Sequence, residues 1–274
     1  NIYGKNPDQT RAKLEVCNPG SYFGMTGGTI NIYDGGGTTF GDLYLRPETS
    51  NVNSSGTFAF VPPNNSPNQN FDIDATCSLG NLLVDGFDNN DSAVVHLMVN
   101  PLYLLGNLTI NDNFSRFNTN RIKVSLEGNF TNNGKYHALT NTTFFTGGNT
   151  QSATLGTATT FNKLVISKTT GTAVTFTGTV DAIVSDSLTI AGGTLINAGA
   201  RNIVARGNII NNSIHTSTGA GSLLIQGTRN QYISGNDNGQ FGNMTVANGA
   251  ANGITLTAST TLNGVLTLTT GYFY

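Results

Sequence analysis

The most constraining feature of this chain is that it repeats itself. Phe161–Ile190 carries apolar residues at Leu164, Ile166, Val174 and Phe176. Phe241–Leu268 carries Met244, Val246, Ile254 and Leu256 in the same slots, a repeat of about 80 residues. Phe144, Phe145 and Gln151 line up with Leu224, Ile225 and Gln231. Leu108 and Ile110 precede Leu188 and Ile190 by the same distance, and Gly128-Asn129-Phe130 precedes Gly207-Asn208-Ile209 by almost the same. Shorter echoes reach back to Leu43–Leu45 and Leu79–Val84. Within each copy the apolar residues alternate with polar ones, and Gly, Thr, Asn and Ser clusters interrupt the runs. Alternation of period two with frequent breaks describes short, half-buried strands. A drifting repeat made of sub-units of roughly 20 to 40 residues describes a stacked repeat architecture.

Composition narrows this further. Charged residues make up 10% of the chain, against about 25% in an average globular protein. No long stretch has helical period, and Gly, Thr, Asn and Val are poor helix formers. The expected fold is therefore all-β, a right-handed parallel β-helix (β-solenoid) whose strands of three to five residues are separated by polar turns. Inward Val, Ile, Leu and Phe would stack rung on rung, and turn asparagines could form hydrogen-bonded ladders. Residues 1–20 lack the pattern and carry more charge, so they read as an N-terminal cap over the first rung, with the solenoid over 21–274. Pro62, Pro63 and Pro67 mark a loop, not a domain boundary. The repeat stops mid-pattern at Tyr274, so the chain is expected to continue.

Other classes are disfavoured. A net charge of −2, with no basic patch among aromatics, gives no footprint for nucleic acid. No apolar run is long enough to span a membrane. No cofactor motif is present. Cys17 and Cys77 match no metal motif. They leave two readings open, a disulfide stapling the first rungs or two separate thiols.

Catalysis on a β-helix would need carboxylates on neighbouring rungs. Beyond residue 130 only Asp181, Asp186 and Asp237 remain. Asp181 and Asp186 fall within one rung, and Asp237 is alone. Arg121-Ile122-Lys123 matches a tripeptide of polygalacturonases, but their paired aspartates and Gly-His-Gly segment are missing, so it reads as coincidence. His96, His137 and His215 have no nucleophile beside them. No catalytic residue is assigned, and the chain reads as a non-enzyme. Asp85, Asp88 and Asp91 form the densest acidic cluster and could offer oxygens to Ca²⁺. They fit neither the EF-hand loop nor the nonapeptide repeat, so a solvated turn is favoured and no metal site is assigned. Asn-x-Ser/Thr matches at Asn107, Asn129 and Asn243 follow from abundance alone.

The segments Thr159–Ile166, Val174–Thr177 and Ser187–Leu195, with Gly253–Leu268, are similar to β-helical repeats of very long secreted surface proteins of Bacteroidota. Such proteins are exported by the type IX secretion system, and some act in gliding motility. The resemblance covers residues 100–274 well and 20–100 loosely, and the family's C-terminal sorting domain is missing. It implies a non-enzymatic, secreted or cell-surface stalk or adhesin. The partners it implies are outer-membrane secretion or surface-anchoring proteins, or surface glycans. It also implies O-glycosylation at Ser92 and Ser187, each in an Asp-Ser-apolar sequon. Two alternatives stand beside it: a carbohydrate-active β-helix enzyme, and a structural partner bound to an outer-membrane secretion or motility complex.

Overall fold

The computed structural model describes residues 11–36, 40–64, 68–88 and 91–274. All regular elements among them are β-strands, and the strands stack on one another in parallel. The chain divides into two compact units, Asn1–Asn141 and Thr142–Tyr274. Each unit is a stack of turns with three strand faces, so the β-solenoid expected from the repeat is the fold.

In unit 1 the first face stacks Leu14–Val16, Leu43–Leu45, Gln69–Ala75, Ala93–Leu97, Ser115–Asn118 and Lys135–His137. The second face pairs Tyr22–Met25 with Thr49–Val52, and Leu102–Leu104 with Val124–Leu126. The third face stacks Thr29–Ile32, Thr57–Phe60, Asn81–Val84, Leu108–Ile110 and Phe130–Asn132. Leu14–Val16 is thus already a rung inside the segment assigned to the cap. Residues 1–10 of that segment lie outside the described residues. Pro62 and Pro63 follow Thr57–Phe60 as irregular backbone, and the ladder has resumed at Gln69; Pro67 lies outside the described residues.

Unit 2 is more regular. Ile203 pairs with Leu223, and Leu223 with Met244, so a turn takes about 20 residues. Its first face runs through Phe161, Val184, Ala205, Ile225 and Val246. Its second runs through Leu164, Leu188, Ile209, Ile233 and Leu256. Val174 and Leu195 stack on the third. Leu164, Ile166, Val174, Phe176, Leu188 and Ile190 are all buried. The long repeat is nevertheless not a whole number of turns. Leu164 lies on the second face, while Met244, its counterpart one repeat on, lies on the first. Val174 lies on the third face and Ile254 on the second. Each copy therefore arrives one strand short of four full turns. The three faces tolerate this because each asks only for alternation followed by a turn.

The turns are held by side chains that stack as regularly as the core. In unit 1, Gly80-Asn81, Gly106-Asn107 and Gly128-Asn129 open three successive rungs of the third face. Asn81 Oδ1 accepts the Asn107 N–H at 2.8 Å, and Asn107 Oδ1 accepts the Asn129 N–H at 2.7 Å. Each bond satisfies a backbone donor that the strands leave open. This ladder explains the Asn-x-Ser/Thr matches at Asn107 and Asn129. The preceding glycines let the corners approach. A Cβ on Gly128 would sit 2.3 Å from the Gly106 carbonyl carbon and 2.7 Å from the Asn107 nitrogen. Those are backbone atoms and cannot swing aside. Gly128→Ala should therefore destabilise unit 1 by about 1–3 kcal/mol, read as a lower urea midpoint. Gly27→Ala meets nothing within 4 Å and should leave the midpoint nearly unchanged.

Candidate functional site

Parallel strands in register place residues of one parity in columns on the outer surface. On the first face of unit 1, one column is Asn70, Val94, Arg116 and Lys135, and the next is Asp72, His96, Asn118 and His137. Between them the inward column Phe71, Val95, Phe117 and Tyr136 is buried, with the last two rings stacked 6.0 Å apart. The core thus fixes a polar shelf on which two cations and two imidazoles stand together.

Arg116 and Lys135 are register partners, about 4.8 Å apart along the stack. Neither side chain has a hydrogen bond or ion pair among the described residues. Beside them lies an open depression of about 320 Å³, lined by Val94, Phe114, Asn68 and Asn113 together with both cations. Ser92 and Ser115 also border it but are already engaged. Ser92 Oγ donates to Asn68 Oδ1 at 2.8 Å. Ser115 Oγ accepts from the Gly86 N–H at 2.8 Å and donates to Asp112 Oδ1 at 2.7 Å. His96 Nε2 lies 3.4 Å from Asn70 Oδ1. Burial lowers the pKa of His137, and the positive charges of Arg116, Lys135 and His96 lower it further. Burial raises the carboxyl of Asp72, against the opposing pull of His96.

The sequence treated His96 and His137 as isolated; the coil brings them into one column, two rungs apart. The acidic residues near Asp85 have partners of their own. Asp85 accepts from Asn111 Nδ2 at 2.8 Å, Asp88 accepts the Asp91 N–H at 3.1 Å, and Asp91 is buried. Among the described residues no group of three His, Cys, Asp or Glu is placed to hold a metal ion. Ser92 and Ser187 are both half-buried. Ser187 sits on the second face of unit 2, with Lys163 and Asn208 as register partners.

The disulfide reading is corrected. Cys17 and Cys77 are free thiols. Cys17 follows Val16, which stacks on Leu45 and through it on Ala75. Cys77 is therefore at least two rungs away, about 9.6 Å, beyond the ~7 Å that a disulfide can bridge. Cys17 Sγ instead donates to Glu15 Oε1 at 3.0 Å. His215 lies elsewhere, buried in unit 2. Its Nδ1 accepts the Gly242 N–H at 3.2 Å, so its Nε2 carries the proton and donates to Asn197 Oδ1 at 2.9 Å.

Several other carboxylates brace corners. Asp42 accepts the Asp72 N–H at 2.9 Å and Asp74 accepts the Asn100 N–H at 3.1 Å. Asp112 accepts the Phe114 N–H at 3.0 Å. In unit 2, Asp181 accepts the Asn202 N–H at 2.8 Å and Asp237 accepts the Ser259 N–H at 2.7 Å. Arg121 lies in a left-handed turn, and Lys123 lies over the Tyr103 ring at 5.3 Å. Comparison with protein-family models, with curated proteins and with solved structures found no match to this chain.

Proposed function

We propose that this chain is a non-enzymatic scaffold of a cell surface, a stalk or adhesin segment that is secreted and held by outer-membrane secretion or anchoring proteins. The observation that carries this reading is the use made of the carboxylates. A glycosidase keeps two of them free and facing one another across a substrate. Here Asp42, Asp74, Asp112, Asp181 and Asp237 each accept a backbone N–H and close a corner. Acid groups spent on geometry make a stiff ladder. Outward strand positions such as Thr109, Thr131, Thr175, Thr177 and Thr189 carry small polar side chains, which suits a solvated surface. The likeness to repeats of long Bacteroidota surface proteins adds the location.

The test is incubation with a panel of plant, algal and microbial polysaccharides, followed by a reducing-end assay. The expected result is no oligosaccharide release. Release that disappears in Asp72→Ala, the one carboxylate in the shelf columns, would overturn the scaffold reading in favour of a carbohydrate-active enzyme.

A further inference from the structure

The geometry points to the outward shelf of unit 1, centred on Arg116 and Lys135, as a binding site for a linear glycan bearing carboxylate or sulfate groups. This rests on the surface-scaffold reading and names the ligand class of that surface.

The first argument is an uncompensated cost. Like charges directly opposite one another destabilise a sheet, and Arg116 and Lys135 are directly opposite on neighbouring strands. Among the described residues four other cations form ion pairs: Arg11 with Glu15, Lys13 with Asp42, Arg46 with Asp74, and Lys163 with Asp186. The carboxylate nearest in sequence, Asp112, is committed to the Phe114 N–H and the Ser115 hydroxyl. An anion from outside would remove the repulsion. The pKa of His137 is lowered first by burial, and Arg116, Lys135 and His96 add to that lowering.

The second argument is the lining. Val94 and Phe114 offer an apolar floor for the C–H face of a sugar ring, and the Asn68 and Asn113 amides offer partners for hydroxyls. With rungs about 4.8 Å apart, the two cations can share one acidic group or meet acidic groups on successive sugars. Two cations and a net charge of −2 are too few for the closely spaced phosphates of a nucleic acid. The third argument is the backbone. Among the described residues four non-glycine positions have positive φ, and three of them, Asn120, Arg121 and Leu139, lie in the corners that follow these two rungs. Strained corners of this kind cluster where a surface is held for a ligand.

The test uses polygalacturonate, dextran sulfate, unmodified dextran and a single-stranded DNA oligonucleotide, with binding to the full chain followed by calorimetry. One or both anionic glycans should bind at least about tenfold tighter than dextran or DNA; the two arms separate carboxylate from sulfate. R116Q/K135Q should weaken that binding by about tenfold or more, and Lys163→Gln in unit 2 should leave it unchanged. Removing the repulsion should keep or raise the melting temperature of the double variant. Should that variant melt early, Lys135→Gln, at an exposed position, should still weaken binding. Failure of both anionic glycans to bind, equal binding of DNA, or wild-type affinity in the double variant would overturn the site. A reducing-end assay on the same mixtures separates the two readings. Cleavage would overturn the scaffold and leave the shelf, whereas absent binding would remove the shelf and leave the scaffold.

Discussion

Leu188→Ala should lower the unfolding free energy of unit 2 by about 2–5 kcal/mol. Leu188 is fully buried and stacks between Leu164 below and Ile209 above. The rungs on either side are tied by backbone hydrogen bonds, so they cannot close over the missing methyls. The cavity remains and adds to the lost transfer free energy. Thr189, the next residue, points outward and is only half-buried, so Thr189→Ala should change stability by less than about 0.5 kcal/mol. Urea denaturation of the two variants provides the comparison. Equal losses at Leu188 and Thr189 would contradict the alternation on which the fold rests.

The second large effect is on pH, and it has opposite sign at His215 in unit 2 and at Asp42 in unit 1. Burial depresses the pKa of His215 in unit 2 to about 4 from an ordinary 6.5. The unfolded chain therefore takes up a proton that the native state refuses, and stability is lost as pH falls from 6.5 towards 4. The full shift corresponds to about 3 kcal/mol. Protonation would put a second hydrogen on Nδ1, against the Gly242 N–H that now donates to it. Burial raises Asp42 in unit 1 from 3.8 to about 6, against the opposing pull of the Asp72 N–H and of Lys13. Here the native state holds a proton that the unfolded chain releases, so stability is gained as pH falls from 6 to 3.8, again by about 3 kcal/mol. Hydrogen exchange at pH 7 and pH 4.5 should show Ile214–Ser217 losing protection while Leu43–Leu45 gains it. A parallel change in both segments would contradict the assignment.

How much of this was legible in the sequence depends on what each residue had to reveal. Leu164, Ile166, Leu188 and Ile190 announced themselves, because alternation fixes which side of a strand is buried whatever the strand's neighbours are. The face on which a strand lies was not legible. Phe161 and Phe241 occupy matching slots in the repeat, yet one is on the first face and the other on the third. Nothing in an alternating segment distinguishes three equivalent faces. The shelf was hidden for the same reason. Arg116 and Lys135 become neighbours only once the turn length between them is known, and the long repeat conceals it. The better signal was the Gly-Asn pair at Asn81, Asn107 and Asn129, whose spacing marks successive turns of unit 1 directly. Cys17 and Cys77 were ambiguous because spacing along the chain does not count rungs.

Everything proposed for the outer surface depends on the register of the rungs that carry it, and paired cysteines read that register most directly. In a background with Cys17 and Cys77 replaced by serine, His96→Cys/Asn118→Cys and Asn118→Cys/His137→Cys each join outward register partners on adjacent rungs. Their Cα atoms lie about 4.8 Å apart, within disulfide reach. His96→Cys/His137→Cys spans two rungs, about 9.6 Å, and is out of reach. Mild oxidation of the monomer, followed by mass spectrometry, should give intramolecular disulfides in the first two proteins and none in the third. A disulfide in the third, or none in the first two, would contradict the parallel register and with it the shelf of Arg116 and Lys135.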